Sequence, residues 1–221
     1  LSEIRCVLEI VSRINHSLAI DFKLTSEQIC IVNESDPVEL QLKKLIGQLN
    51  KNQIDSIKVL DLANLGLTSI RSLKPLSNLK FLCISQNNIS ELEPLRYLIK
   101  LKVLIIKKNY ISDLKPIEYL SELVYLDIEE TSVTCIKPLG SCKKISHIKL
   151  SKTGITNFEP IKKCPKLEYI TFPENIRDYI MILPQLFSLK NFYIDGLPTN
   201  YYNSIDIAEV FYKHGFGGIL N

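Results

Sequence analysis

NNISELEPLRYLIKLKVLIIKK occupies residues 87–108, and the next 22 residues, NYISDLKPIEYLSELVYLDIEE (109–130), repeat it almost position by position. Working outward, TSVTCIKPLGSCKKISHIKLSK (131–152) and TGITNFEPIKKCPKLEYITFPE (153–174) keep the same frame. Leu60, Leu82, Leu104, Leu126, Ile148 and Ile170 are spaced by 22 residues, and two residues after each stand Leu62, Ile84, Ile106, Ile128, Leu150 and Phe172. Three residues before each first anchor stand Ile57, Leu79, Leu101, Leu123, Ile145 and Leu167; Leu189, Phe192 and Ile194 form a seventh copy. Asn87, Asn109, Thr131, Thr153 and Asn175 follow the first anchor by five residues, whereas the first copy has Leu65 there with Asn64 just before it. A fixed period of this length is the mark of stacked supersecondary units.

The spacing dictates what each unit does. Anchors two residues apart predict a short strand with one face inward and one outward. The Asn or Thr comes where the chain must turn, and a buried side chain there can satisfy backbone groups of neighbouring coils. Beyond it apolar residues recur every three positions, as in Ile89, Leu92, Leu95, Leu98 and Leu101, which predicts a tight 3₁₀-like or extended return. Pro94, Pro116, Pro138 and Pro160 recur at one position of that return, where no ladder donor is needed. One coil cannot bury its own apolar face, so stacking is obligatory.

These residues resemble a leucine-rich repeat protein of the 22-residue class. NNISELEPL (87–95), NYISDLKPI (109–117), TSVTCIKPL (131–139) and TGITNFEPI (153–161), each ending in Pro-Leu or Pro-Ile, are similar to bacterial internalin-type repeats in particular. The resemblance covers about residues 57–195. It implies an α/β leucine-rich repeat fold: a right-handed solenoid of about seven repeats with a concave parallel β-sheet. It also implies binding to another macromolecule, without saying which.

Composition narrows the function classes. The chain has 221 residues, 46% hydrophobic and 23% charged, with a net charge of +3, which excludes a disordered polyelectrolyte. No apolar run reaches the roughly 18–20 residues that a membrane-spanning helix needs. The chain starts at Leu1 instead of Met, which predicts processing, trimming or excision from a larger protein. Residues 1–18 carry Glu3, Arg5, Glu9 and Arg13, which a signal-peptide core would not tolerate. A signal removed before Leu1 stays open as the alternative. The six cysteines include no C-x-x-C pair and only three histidines accompany them, so zinc-type spacing is absent.

Amphipathic helices are predicted over residues 1–16 and 36–49, the second with Asp36 as N-cap and Pro37 at its first position. A helix directly before the first repeat closes the open apolar end of a solenoid. The organisation is therefore a helical N-terminal cap (1–56), repeats (57–195) and a C-terminal cap (196–221) with a helix over residues 203–213.

Strand residues between the anchors are expected on the concave face. They include eight lysines and seven carboxylates, a mixture that lacks the sustained positive field of a nucleic-acid groove. Just before the anchor, successive coils present Val59, Phe81, Val103, Tyr125, His147, Tyr169 and Asn191. Such rigid amphipathic rings suit binding hot spots, although they also shield a sheet by packing on one another. A second column, Lys108, Glu130, Lys152 and Glu174, predicts lateral charge pairs. Coil three is basic (Lys102, Lys107, Lys108) and coil four acidic (Asp127, Glu129, Glu130), a pattern that can orient a complementary partner. The candidate partner-binding residues are Phe81, Lys102, Ile105, Lys107, Lys108, Tyr125, Asp127, Glu129, Glu130, His147, Lys149, Lys152 and Tyr169.

Cys142 and Cys164 occupy one apolar slot in consecutive coils and read as small buried hydrophobes, with a disulfide between them as the alternative. Cys83, on the concave face, reads as the most accessible thiol. No P-loop, G-x-G-x-x-G, G-x-S-x-G or H-E-x-x-H motif is present, so no catalytic residue, cofactor or metal site is assigned. The reading is a non-enzymatic module that binds a specific protein, as an effector, an immunity-type inhibitor or a regulatory subunit. The alternative is the recognition domain of a larger enzyme. The expected setting is bacterial, in the cytoplasm or after delivery into a host cell; secretion is the alternative.

Overall fold

The computed structural model describes residues 38–174, 182, 185–186 and 188–195. It contains helices α1 (Val38–Gln48) and α2 (Lys51–Ser56), followed by seven short strands: β1 Val59–Asp61, β2 Phe81–Cys83, β3 Val103–Ile105, β4 Tyr125–Asp127, β5 His147–Lys149, β6 Tyr169–Phe172 and β7 Asn191–Ile194. Coils one to seven are numbered by these strands. The strands form one open parallel sheet in the order β1 to β7, with every neighbour paired across a step of 22 residues, from Val59 with Phe81 to Ile170 with Phe192. The sequence period is thus the register of the sheet. Parallel crossovers are right-handed for L-amino acids, and this succession of strands builds the expected solenoid with its concave sheet.

The returns are 3₁₀ helices, as the three-residue spacing predicts: Arg71–Leu73, Glu93–Tyr97, Lys115–Tyr119, Lys137–Ser141 and Glu159–Lys163. Pro94, Pro116, Pro138 and Pro160 lie in the first turns of the last four, where a missing N–H costs no bond. Between sheet and returns runs one apolar core. Leu60, Leu82, Leu104, Leu126, Ile148 and Ile170 are all at most 1% exposed. Each such side chain contributes roughly 1.5–3 kcal/mol, and none can do so without the coil above or below it.

Asn87 shows how the turns are held. Its amide donates to the carbonyls of Leu62 (2.9 Å), Ile84 (2.9 Å) and Ser85 (3.1 Å), and its Oδ1 accepts from the N–H groups of Leu65 (3.0 Å) and Leu67 (2.9 Å). One buried side chain therefore satisfies backbone groups on two coils. Before each of these turn residues, the backbone enters the left-handed region, with φ of +58° at Asn64, +56° at Gln86, +55° at Lys108 and Glu130, and +56° at Lys152. Side chains other than glycine's strain there. The compensation lies between coils: Gln86, Lys108 and Glu130 donate their N–H to Lys107, Glu129 and Ser151 carbonyls at 3.0, 2.9 and 3.1 Å.

At the N-terminal end, Leu42 and Ile46 of α1, with Leu49 just after it, join the core of the first coil. Helix α1 matches the second predicted helix, whose proposed capping residues Asp36 and Pro37 lie outside the described residues. Helix α2 was not predicted. Asn50 and Gln53 form a capping box, each side chain accepting from the other's backbone N–H at 3.0 and 2.9 Å, and so start a single turn before β1. The helices predicted over 1–16 and 203–213 also lie outside the described residues. Among those described, no helix is long and apolar enough to cross a membrane.

Candidate binding site on the concave face

The parallel register places Val59, Phe81, Val103, Tyr125, His147, Tyr169 and Asn191 in one row across the sheet. Three rings stack along it. Tyr125 and His147 lie 6.2 Å apart with 27° between their planes, and His147 and Tyr169 lie 5.8 Å apart at 26°. All three are half-buried and stand outside the core, because their strand neighbours Leu126, Ile148 and Ile170 point inward. Ser146 Oγ lies 2.8 Å from His147 Nδ1 and steadies the imidazole in the stack. Phe81 is half-buried in the same row, but Val103 separates it from the stack.

Next along the strands come Ile105, Asp127 and Lys149. Ile105 and Lys149 are half-buried, but Asp127 is only 2% exposed and offers a partner no surface, against expectation. Its Oδ1 accepts the Glu129 N–H at 3.1 Å, which draws the carboxylate back onto its own turn. Burial raises its pKa despite that hydrogen bond. Tyr125 hydrogen-bonds Lys149, and burial likewise raises the Tyr125 phenol. Burial pulls the Lys149 ammonium down, but the Tyr125, Glu129 and Asp127 groups around it outweigh that and hold it above its ordinary value. Glu129 reaches across two coils to accept the Thr171 hydroxyl at 3.1 Å.

Three of the four residues of the turn column pair as the sequence predicts, and Glu174 makes no ion pair among the described residues. Glu130 sits between Lys108 (3.8 Å) and Lys152 (3.4 Å). These side chains are 38–67% exposed, so each pair adds only a few tenths of a kcal/mol. With Tyr110, Ser132, Asn109 and Thr131 they line a groove of about 540 Å³ along the ends of the strands. Lys102 is exposed, near Glu122 at the other end of the strands, and Lys107 is half-buried near Asp127. Tyr110, 67% exposed, is a contributor that reading the strands alone misses, because it lies one residue past the turn asparagine.

A second aromatic group lies on the return side. Lys74 stands 4.3 Å from the Tyr97 ring, the Arg96 guanidinium 4.8 Å from the Tyr119 ring, and Arg96 donates to the Tyr119 hydroxyl at 3.1 Å. Tyr97 and Tyr119 are 22 residues apart in an exposed slot, so the repeat itself carried that signal. The thiols also differ from expectation. Cys135 is exposed, whereas Cys83 is half-buried with its pKa raised by burial, so among the described thiols Cys135 is the accessible one. Cys142 and Cys164 are buried free thiols whose Sγ atoms approach the Ile117 and Leu139 carbonyls, and burial pushes them up to about 12 and about 11. Among the described residues no group of three or more His, Cys, Asp or Glu could hold a metal ion.

No protein-family model matches the chain, and no curated protein sequence matches it. Its fold does match solved structures. Internalin C2 from Listeria monocytogenes is 25% identical, with a TM-score of 0.61 over 69% of this chain and 70% of that one. Internalin F from the same organism is 22% identical, with a TM-score of 0.56 over 69% of this chain and 54% of that one. A leucine-rich repeat protein of Leptospira interrogans is 21% identical, with a TM-score of 0.58 over 71% of this chain and 39% of that one. The chain is a leucine-rich repeat protein with internalin-like repeats.

Proposed function

We propose that the chain is a non-enzymatic binding module whose concave face, across coils two to six, receives one protein partner. The observation that carries this reading is the Tyr125–His147–Tyr169 stack. Three rings pre-ordered on adjacent strands lose little side-chain entropy on binding, and they present both apolar faces and polar edges. The core does not use them. Beyond the stack, Lys108 and Lys152 flank Glu130, while Lys102 lies by Glu122 and Lys107 by Asp127, a mixed polar rim that suits a protein surface better than a polyphosphate chain. The neighbours called internalins support an interaction role in general, and the partner's identity lies beyond them. The caps assigned to residues 1–56 and 196–221 would then serve to close the apolar ends. The two buried free thiols on consecutive coils favour a reducing setting, the cytoplasm or the interior of a host cell.

The test starts by capturing the partner from lysate of the source cell and purifying it. Tyr125→Ala/Tyr169→Ala should then weaken its binding about fivefold or more, roughly 1 kcal/mol, while the thermal melt moves little. Unchanged affinity, or a large fall in stability with affinity retained, would make the stack structural and move the interface elsewhere.

A further inference from the structure

From Ser132 to Lys166 the chain holds eight lysines and a single carboxylate, Glu159, directly after a stretch (121–131) with four carboxylates and no cation. Lys149 and Lys152 lie on the sheet side, engaged with Tyr125 and Glu130. The other six are all exposed on the two returns between β4 and β6: Lys137, Lys143, Lys144, Lys162, Lys163 and Lys166. Lys144 pairs with Glu122 and Lys162 with Glu159, both at 2.6 Å. Lys137, Lys143, Lys163 and Lys166 have no carboxylate partner among the described residues.

Two of these four are held in place. The Lys163 stem crosses Gly140, where an added Cβ would stand 3.2 Å from its Cδ, so the glycine opens room for it. Lys143 Nζ donates to the Lys163 carbonyl at 3.1 Å, which ties the second chain to the first. The concave-face stack plays no part in this patch.

We propose that this return face binds the surface of an anionic lipid bilayer. The chemistry of the patch selects that partner. It contains lysines and no arginine, so it supplies point charges without the planar fork that reads a particular phosphate or carboxylate. Among the described residues the exposed large apolar side chains are Leu40, Tyr97, Ile99, Tyr110 and Tyr119, none of them between 132 and 166. Tyr119, on the bordering return, is engaged by Arg96, so within the patch itself a single-stranded nucleic acid finds no stacking platform and a folded protein no aromatic anchor. The cations occupy two neighbouring returns, beside a third that carries Lys115 with Glu118 and Glu122, and form no track along which a duplex would run. An array of laterally mobile anionic headgroups needs only dense, exposed positive charge on an outward surface.

The experiment is sedimentation of the full chain with phosphatidylserine-containing and pure phosphatidylcholine vesicles. The chain should pellet with the first only, and a rise from about 0.05 M to about 0.3 M salt should release it. Lys137→Gln/Lys143→Gln/Lys163→Gln/Lys166→Gln should weaken vesicle binding roughly tenfold or more. Lys43→Gln/Lys51→Gln/Lys58→Gln/Lys80→Gln removes equal charge elsewhere and should leave most binding intact. Lys137→Gln/Lys166→Gln spares the Gly140 contact and should give an intermediate loss, which guards against misfolding of the fourfold variant. Equal loss in both fourfold variants, pelleting that ignores phosphatidylserine, or retention by duplex DNA or an acidic peptide without any vesicle binding would each overturn the proposal.

Discussion

Coils two and three are tied differently from coils four and five, although all four share one frame. Asn109, like Asn87, spans two coils: its amide donates to Ile84 and Ile106 carbonyls at 2.9 Å each, and its Oδ1 accepts the Ile89 N–H at 3.0 Å. Thr131 and Thr153 stand at the same position, but their hydroxyls donate only within their own coil, to Ile128 (2.7 Å) and Leu150 (2.6 Å). A hydroxyl has one proton and a short reach, where an amide has two protons and an acceptor. The asparagine coils are therefore stitched to the preceding coil by a side chain. The threonine coils depend on the sheet ladder and on side chains such as Glu129, which spans to Thr171. That looser half carries the ring stack and the lysine patch, so in this protein the binding candidates sit where the turns are least cross-linked.

The comparison can be broken most directly at Asn109. Asn109→Ala leaves the buried Ile106 carbonyl and Ile89 N–H without partners and takes from the Ile84 carbonyl one of its two amide donors, and the expected loss is about 3 kcal/mol or more in a denaturant melt. Thr131→Val removes one hydroxyl bond at nearly constant volume and should cost about 1 kcal/mol. Equal losses in the two variants would mean that the bridge between coils carries no special weight.

The smallest expected effect is at Asp127, in the looser half. Burial raises its folded pKa above the unfolded value, so the folded chain holds the proton more tightly. Its carboxylate therefore costs stability above the folded pKa, and that cost fades as pH falls through it. Asp127→Asn keeps an acceptor for the Glu129 N–H and should melt slightly higher than the parent at about pH 7, with the advantage vanishing in acid. A lower melt at neutral pH would show that attraction to Lys149 and Lys107 outweighs burial.

Much of the architecture was legible in particular residues. Leu104 and its equivalents, spaced by 22, prescribe both the strands and their register, because an apolar slot recurring once per coil can be buried only by its counterparts in the coils beside it. The three-residue spacing and the prolines foretold the 3₁₀ returns for the same local reason. The ring row was legible too, since residues one period apart must be neighbours in a parallel sheet. Asp127 was not, because alternation places it outward and only the Glu129 N–H and its crowded neighbours turn it in. Nor were the left-handed turns at Lys108 and Glu130, which carry no sequence mark. Their conformation is set by donation to a carbonyl on the next coil.

The division follows from range. Sequence by itself determined what depends on periodicity: strand, turn and return, the stacking order, and which columns share a face. Tertiary structure alone decided which polar groups in those columns are spent on the protein itself and which remain for a partner. Asp127 is spent on its turn, Glu129 on Thr171, and Gly140 opens room for Lys163. Apart from the local Asp127 turn, those outcomes hang on contacts between coils 20 or more residues apart, where angles and distances of an ångström choose the winner. A repeat pattern fixes the neighbours and leaves that choice to packing.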